Sequence, residues 1–301
     1  MFFMSIADGS RLGSYRILRK LGEGRTGEVY QAIHVDSQQC VALKLLHSWC
    51  IQDAMLVEKF INAARRMQRL AQVGFVQVTD LGQEPGSPPF FAMEFLEGET
   101  LAARQRRLGP GFPMQELLWL ASQAAALIAS AQKQKIICQP MTPDVFMIRR
   151  GADESGRESI KFLDLFVDTL SPLVDRNRMG TVTYSQHAEA AVFYDFHGTA
   201  AYLPPELCRD PNNLHEKNDV YSLGIILYQL IVGQLPFDDK IRAETLAMHL
   251  TMPPPPIARF ARTVPSPLVE LVNQMLAKRM TDRPPMAHVA QVLKDIESRY
   301  V

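Results

Sequence analysis

The spacing most suggestive of chemistry is Gly22, Gly24 and Gly27 followed by Val29, a G-x-G-x-x-G-x-V run. Glycines have no Cβ, so a turn built from them can lie close over phosphate groups. The run alone is ambiguous, because dinucleotide-binding folds use a similar spacing and a glycine turn can be no more than a turn. Two local features separate these readings. The loop lies between two strand-like segments rather than opening a helix, and Val41, Ala42, Leu43 and Lys44 follow on the next strand-like segment. A lysine there can reach the α- and β-phosphates of a nucleotide.

The elements that must position these residues are legible as changes of period. Residues 15–21, 28–35, 41–46, 75–81 and 90–96 are short, rich in β-branched and aromatic side chains, and bounded by Gly, Pro, Asp or Ser. They predict a small antiparallel sheet, with the turn-rich stretch 82–89 joining the last two strands as a hairpin. Between the third and fourth strands, Leu56, Phe60, Ala63, Met67 and Leu70 fall on one helical face. After Gly98 the period lengthens: Leu117, Leu120, Ala121, Ala124, Leu127, Ile128 and Ala131 form a long apolar stripe, with further helices near 220–232 and 268–277. The fold class is α+β. The prolines at 253–256 read as a connector, and no repeat of 20 to 50 residues is present.

Composition narrows the function classes. Lys+Arg and Asp+Glu are each 32 in 301 residues, so no global field steers the chain toward nucleic acid. The apolar fraction of 47% and charged fraction of 21% are those of a folded globular chain. The longest uncharged run, 220–237, is broken by Gly224, Gly233 and Pro236, which argues against membrane insertion. Residues 1–8 lack the basic and apolar regions of a signal peptide, so cytoplasmic residence is expected. Cys40, Cys50, Cys138 and Cys208 have neither disulfide nor zinc spacing, and the histidines, among them His187, His197 and His215, show no metal-ligand spacing. Arg104, Arg106 and Arg107, like Arg149 and Arg150, read as solvated charge.

Several ordered motifs add to the glycine run and V-A-L-K: M-E-F-L-E-G at 93–98, G-T-A-A-Y-L-P-P-E at 198–206, D-V-Y-S-L-G at 219–224 and D-R-P at 282–284. Together they resemble the eukaryotic-like serine/threonine protein kinases in their bacterial form. The resemblance implies a two-lobed protein-kinase-like fold: an N-terminal extension (1–13), an N-lobe of antiparallel sheet plus one helix (14–97) and a larger, mainly helical C-lobe (98–301). It implies adenine-nucleotide space between the lobes, lined by Leu21, Val29, Ala42, Met93 and Met147, with backbone groups of Glu94 and Leu96 at the purine edge. It implies phosphate contacts at Gly22, Gly24, Gly27 and Lys44, and a metal ligand at Asp164. Glu206 is expected to form a buried ion pair with Arg283, and Asp219 to hydrogen-bond backbone of segment 138–145.

The departures from the family fall on catalytic positions. Where the family has H-R-D-L-K-P-x-N, the chain reads Cys138, Gln139, Pro140, Met141, Thr142, Pro143, Asp144, Val145. Pro140 stands at the aspartate that accepts the substrate proton, Thr142 at the phosphate-facing lysine, and Val145 at the asparagine that binds a second metal. Asp144 reads as an exposed loop carboxylate. Ala63 takes the place of the helix glutamate that pairs with the lysine, and Glu58 lies on another face of the helix. D-F-G becomes Asp164, Leu165, Phe166, and the similar Asp195, Phe196, His197, Gly198 reads as part of the loop before the substrate-binding turn.

A general base contributes about 10²- to 10⁴-fold to such a reaction. The expectation is therefore a pseudokinase: a catalytically inactive domain acting as a protein-binding or allosteric module, with weak ATP binding that depends little on Mg2+. The alternative is a weak or atypical ATP-dependent serine/threonine kinase, or another nucleotide-dependent transferase, relying on Lys44 and Asp164. A third reading is a purely structural fold. Lys44, deprived of a helix carboxylate, is expected to pair with Asp164 and to behave energetically as an exposed lysine. Proteins, not nucleic acid, are the expected partners.

Overall fold

The computed structural model describes residues 6–24, 27–83, 87–109, 112–139, 141–151, 157–164, 200–210, 213–260 and 263–300. Of the positions discussed above, Pro140, Leu165, Phe166, His187 and 195–199, with 1–5, Arg25, Thr26 and 84–86, lie outside the described residues. The chain divides into two units. One holds the described residues up to Glu97 together with Asp164; the other holds the rest, from Gly98 onward.

The first unit is built on six antiparallel strands: β1 (Arg11–Leu12), β2 (Tyr15–Glu23), β3 (Gly27–His34), β4 (Cys40–Leu46), β5 (Val78–Gly82) and β6 (Phe90–Glu94), in the order β1-β2-β3-β4-β6-β5. Alternation is clear where one face is buried: Tyr15 and Ile17 on β2, and Tyr30 and Ala32 on β3, enter the core. The run 41–46 of β4 is buried throughout, as suits a strand flanked by β3 and β6. Helix α1 (Ala54–Leu70) starts at Asp53, whose carboxylate accepts from the Met55 and Leu56 amides, and buries Phe60, Ala63, Ala64, Met67 and Leu70. Phe60 meets Phe91 of β6 with ring centroids 5.1 Å apart.

Two differences from expectation have local causes. A sixth strand, β1, arises within the segment read as an extension, where the Gly9 amide bonds the Ile17 carbonyl and the Ile17 amide bonds the Ser10 carbonyl, each at 2.9 Å. Two residues are too few to carry a period. The strand expected at 75–81 begins only at Val78, because the Gln77 amide donates to the Glu94 side chain (2.9 Å) instead of continuing a ladder.

In the second unit a small sheet, β7 (Gly98–Thr100), β8 (Phe146–Arg149) and β9 (Ser159–Phe162), accompanies helices. These are α2 (Leu101–Leu108), α3 (Met114–Lys133), α4 (Pro205–Arg209), α5 (Glu216–Val232), α6 (Arg242–Thr251), α7 (Ser266–Met275) and α8 (Met286–Arg299). Helix α5 is buried on nearly every face, including its polar Asn218, Asp219 and Ser222, and α3 and α7 pack against it. Among the described residues no helix is long and apolar enough to cross a membrane.

Candidate functional site

In the first unit, β2 and β3 are joined by the glycine run. The Gly24 amide donates to the Gly27 carbonyl at 2.8 Å. Gly27 lies flush on β4: a Cβ there would come within 1.7 Å of the Leu45 carbonyl oxygen, so packing alone demands glycine. Gly22 is different. It pairs with Val29, its φ is not positive, and a Cβ on it would meet nothing within 4 Å. Among the described residues, nothing fills the space beside Gly22.

Lys44 sits on β4, opposite Val29 on one side and Phe91 on the other. Its ammonium donates to Asp164 Oδ2, the expected pairing. The expectation of an exposed lysine is corrected: Lys44 is 5% exposed, and its Nζ stands 6.0 Å from the centre of the Phe91 ring. An ammonium with so little contact with water has to be matched inside the unit. In α1, Ala63 is buried and Glu58 exposed, so Asp164 serves where the helix offers no carboxylate.

The remaining candidate positions fall in both units. Ala42 and Met93 face each other across β4 and β6 and are both buried, Val29 is half-buried, and Leu21 is exposed. The Glu94 amide donates to the Gln77 carbonyl (2.9 Å), so only its carbonyl could serve a purine edge. Leu96 is buried. In the second unit Met147 is half-buried on β8, between Thr100 and Lys161.

Cys138 and Gln139, at the start of the degenerate segment 138–145, are held by a polar network that sequence reading anticipated only in part. The Cys138 amide donates to Asp219 Oδ1 (3.0 Å), as expected. Gln139 Nε2 donates to the same oxygen (3.2 Å) and to Ser222 Oγ (3.1 Å), while Gln132 Nε2 donates to Asp219 Oδ2 (2.9 Å). Burial pushes the Asp219 carboxyl up to about 7, against the pull of these donors, and raises the Cys138 thiol well above its usual range. Thr142 is half-buried, and Pro143–Val145 forms a 3-10 turn with Asp144 exposed. Glu206 and Arg283 form the expected buried ion pair.

One residue at the glycine turn escaped sequence reading altogether. His47 Nε2 lies 2.9 Å from the Gly24 carbonyl oxygen. No motif spacing marks it; only its position just beyond the strand that carries Lys44 could have drawn notice.

Residues 15–293 match the protein kinase domain family model. The chain is 31% identical over 276 residues to serine/threonine-protein kinase Pkn1 of Myxococcus xanthus, covering 91% of this chain and 37% of that protein. It is 28% identical over 271 residues to serine/threonine-protein kinase PrkC of Bacillus subtilis, covering 90% of this chain and 38% of that protein. The chain thus spans well under two thirds of these relatives. Among solved structures, the kinase domain of PknI from Mycobacterium tuberculosis superposes with a TM-score of 0.71 at 20% identity, covering 97% of this chain and 99% of that one.

Proposed function

The chain belongs to the protein kinase domain family, and we propose that it binds an adenine nucleotide but transfers phosphate too poorly to act as a kinase, serving as a protein-binding or allosteric module. In this reading Gly22, Gly24, Gly27 and Lys44 take the phosphates. Leu21, Val29, Ala42 and Met93 take the purine, with the Glu94 carbonyl and Leu96 amide at its edge. One contrast carries the proposal. The phosphate-facing residues keep their chemistry, with Lys44 and Asp164 joined, whereas Cys138 and Gln139, at the start of segment 138–145, are committed to a buried structural network with Asp219 and Ser222. Neither Thr142 nor Val145 can replace a lysine or a metal-binding asparagine.

ATP would bring the γ-phosphoryl group and a divalent cation. The residues fit the nucleotide phosphates better than they fit the metal. Asp164 is one hard oxygen ligand already bonded to Lys44, and Val145 offers no oxygen donor. Cytoplasmic residence belongs to the same reading, in keeping with Cys40, Cys50, Cys138 and Cys208 all being free thiols.

A second reading, a weak or atypical serine/threonine kinase, has more direct support from the comparisons, since Pkn1 and PrkC both bear that name. Paired nucleotide titration and γ-phosphate transfer separate the two. The proposal expects thermal stabilisation by ATP and no label on the chain or on generic protein substrates. Label that disappears on Lys44→Met or Asp164→Ala would establish the kinase instead. Absence of any nucleotide effect would leave a structural fold.

A further inference from the structure

Lys278, in the loop after α7, is a cation without an anion. Its Nζ donates to the Tyr221 hydroxyl at 3.3 Å and to the Met248 carbonyl at 3.4 Å, and among the described residues it forms no ion pair. A second cation lies against the same aromatic ring: the Arg283 guanidinium carbon is 4.7 Å from the centre of Tyr221, and Lys278 Nζ is 5.7 Å from it. Glu206, the carboxylate of this cluster, already spends both oxygens on Arg283. The other titratable groups facing Lys278 are uncharged at neutral pH. Burial holds His249 down to about 3, and pushes Cys208 up to about 12 and Tyr221 above its usual range.

These surroundings suit a neutral amine, whose two protons match the two acceptors and whose lone pair is left free. Phe237, with its ring centre 4.1 Å from Nζ, pulls the other way by favouring the ammonium. Burial, aided by the Arg283 charge, prevails and lowers Lys278 to about 8. The side chain is half-buried rather than enclosed, so a small reagent has a way in. Other lysines differ. Lys20 and Lys44 are paired with carboxylates, Lys217 has Glu216 beside it, and Lys133, Lys240 and Lys294 are exposed.

We propose that Lys278 is an acylation site, modified by small acyl phosphates without help from an enzyme, and that the modification weakens the tie it makes between α5 and α6. The amine lone pair adds to the acyl carbon, the bond from that carbon to the phosphate oxygen breaks, inorganic phosphate leaves with the electron pair, and the proton released from nitrogen goes to water. The product is a neutral amide. Its nitrogen keeps one proton, so it can serve Tyr221 on α5 or Met248 on α6 but not both, and the Phe237 ring loses its cation.

The test treats the folded chain with acetyl phosphate at pH 8 and follows each lysine by peptide mass spectrometry. At that pH Lys278 is about half deprotonated, against about 0.4% for an ordinary lysine. Lower basicity and partial burial offset part of this gain, so Lys278 is expected to label about tenfold faster than Lys133, Lys240 and Lys294. Its rate should level off above pH 8 while theirs still climbs at pH 10. Once Lys278 is fully acetylated, the thermal midpoint should fall by about 2 °C, and Lys278→Arg treated in the same way should keep its midpoint. Labelling of Lys278 no faster than of the three exposed lysines would overturn the site, as would a rate that rises only near pH 10. Equal losses of midpoint in treated wild type and treated Lys278→Arg would overturn the tie between α5 and α6.

Discussion

Arg283 and Glu206, 77 residues apart, meet in a buried two-pronged contact in which Nη1 donates to Oε1 at 2.6 Å and Nη2 to Oε2 at 2.9 Å. The remaining donors of Arg283 are taken as well: Nε by the Ala277 carbonyl (2.8 Å), and the terminal nitrogens also by the Lys217 (3.0 Å) and Lys278 (3.2 Å) carbonyls. The guanidinium carbon lies 4.7 Å from the centre of the Tyr221 ring. Charges this well satisfied tie α4, the start of α5 and the chain before α8 into one cluster.

Removing one partner leaves the other charge buried and alone, so Glu206→Ala or Arg283→Ala should cost about 3 to 5 kcal/mol. Lys44→Ala should cost about 1 to 2 kcal/mol, because the carboxylate it abandons, on Asp164, is 27% exposed and can be hydrated. Denaturant midpoints of the three variants check the contrast. Similar shifts in all three would remove the special weight given to the Glu206–Arg283 pair.

The single carboxylate at Asp164 leads to a prediction about metal. ATP affinity should fall by about ten- to a hundredfold at most when Mg2+ is replaced by a chelator, since one charge-assisted contact is worth roughly 1.5 to 3 kcal/mol. Calorimetry with and without Mg2+ reads this directly, and strictly Mg2+-dependent, sub-micromolar binding would contradict it.

Asp219 predicts a pH dependence. Burial raises its carboxyl from 3.8 to about 7, so between those values the folded chain holds a proton that the unfolded chain has lost. Its contribution to stability is therefore greatest at the acid end of that window and is lost as pH rises through about 7. His249 acts in the opposite sense: burial lowers it to about 3, so folding becomes less favourable as pH falls below the ordinary histidine range. Comparing wild type with Asp219→Asn isolates the first effect. The stability difference between them should shift in favour of wild type as pH drops from 7 toward 4, and a constant difference would refute the assignment.

Gly224 tests the packing of the second unit. A Cβ there would lie 2.9 Å from Met275 Cβ and 3.1 Å from Leu276 Cδ2, where α5 approaches the end of α7. Alanine is favoured over glycine inside a helix by about 1 kcal/mol, yet overpacking a close contact costs about 1 to 3 kcal/mol. Gly224→Ala should therefore destabilise the chain slightly. A rise in thermal midpoint would mean that α7 yields without cost.

Local sequence determined the elements that have a period or a signature. The spacing from Leu56 to Leu70 specifies both α1 and its buried face, the β-branched runs specify β2, β3, β4 and β6, and the glycine run marks the connection between β2 and β3. Ordered motifs carried the family and, with it, Glu206 facing Arg283 and Asp219 facing Cys138. Tertiary structure decided what no period encodes. β1 exists because β2 offers it an edge, buried Lys44 is matched because Asp164, 120 residues later, stands beside it, and Gln139 turns inward because Asp219 and Ser222, some 80 residues later, are there to accept it. His47 gains its place only when β4 ends beside Gly24. Burial and hydrogen bonding depend on neighbours that are distant in the chain, and only the folded arrangement brings those neighbours together.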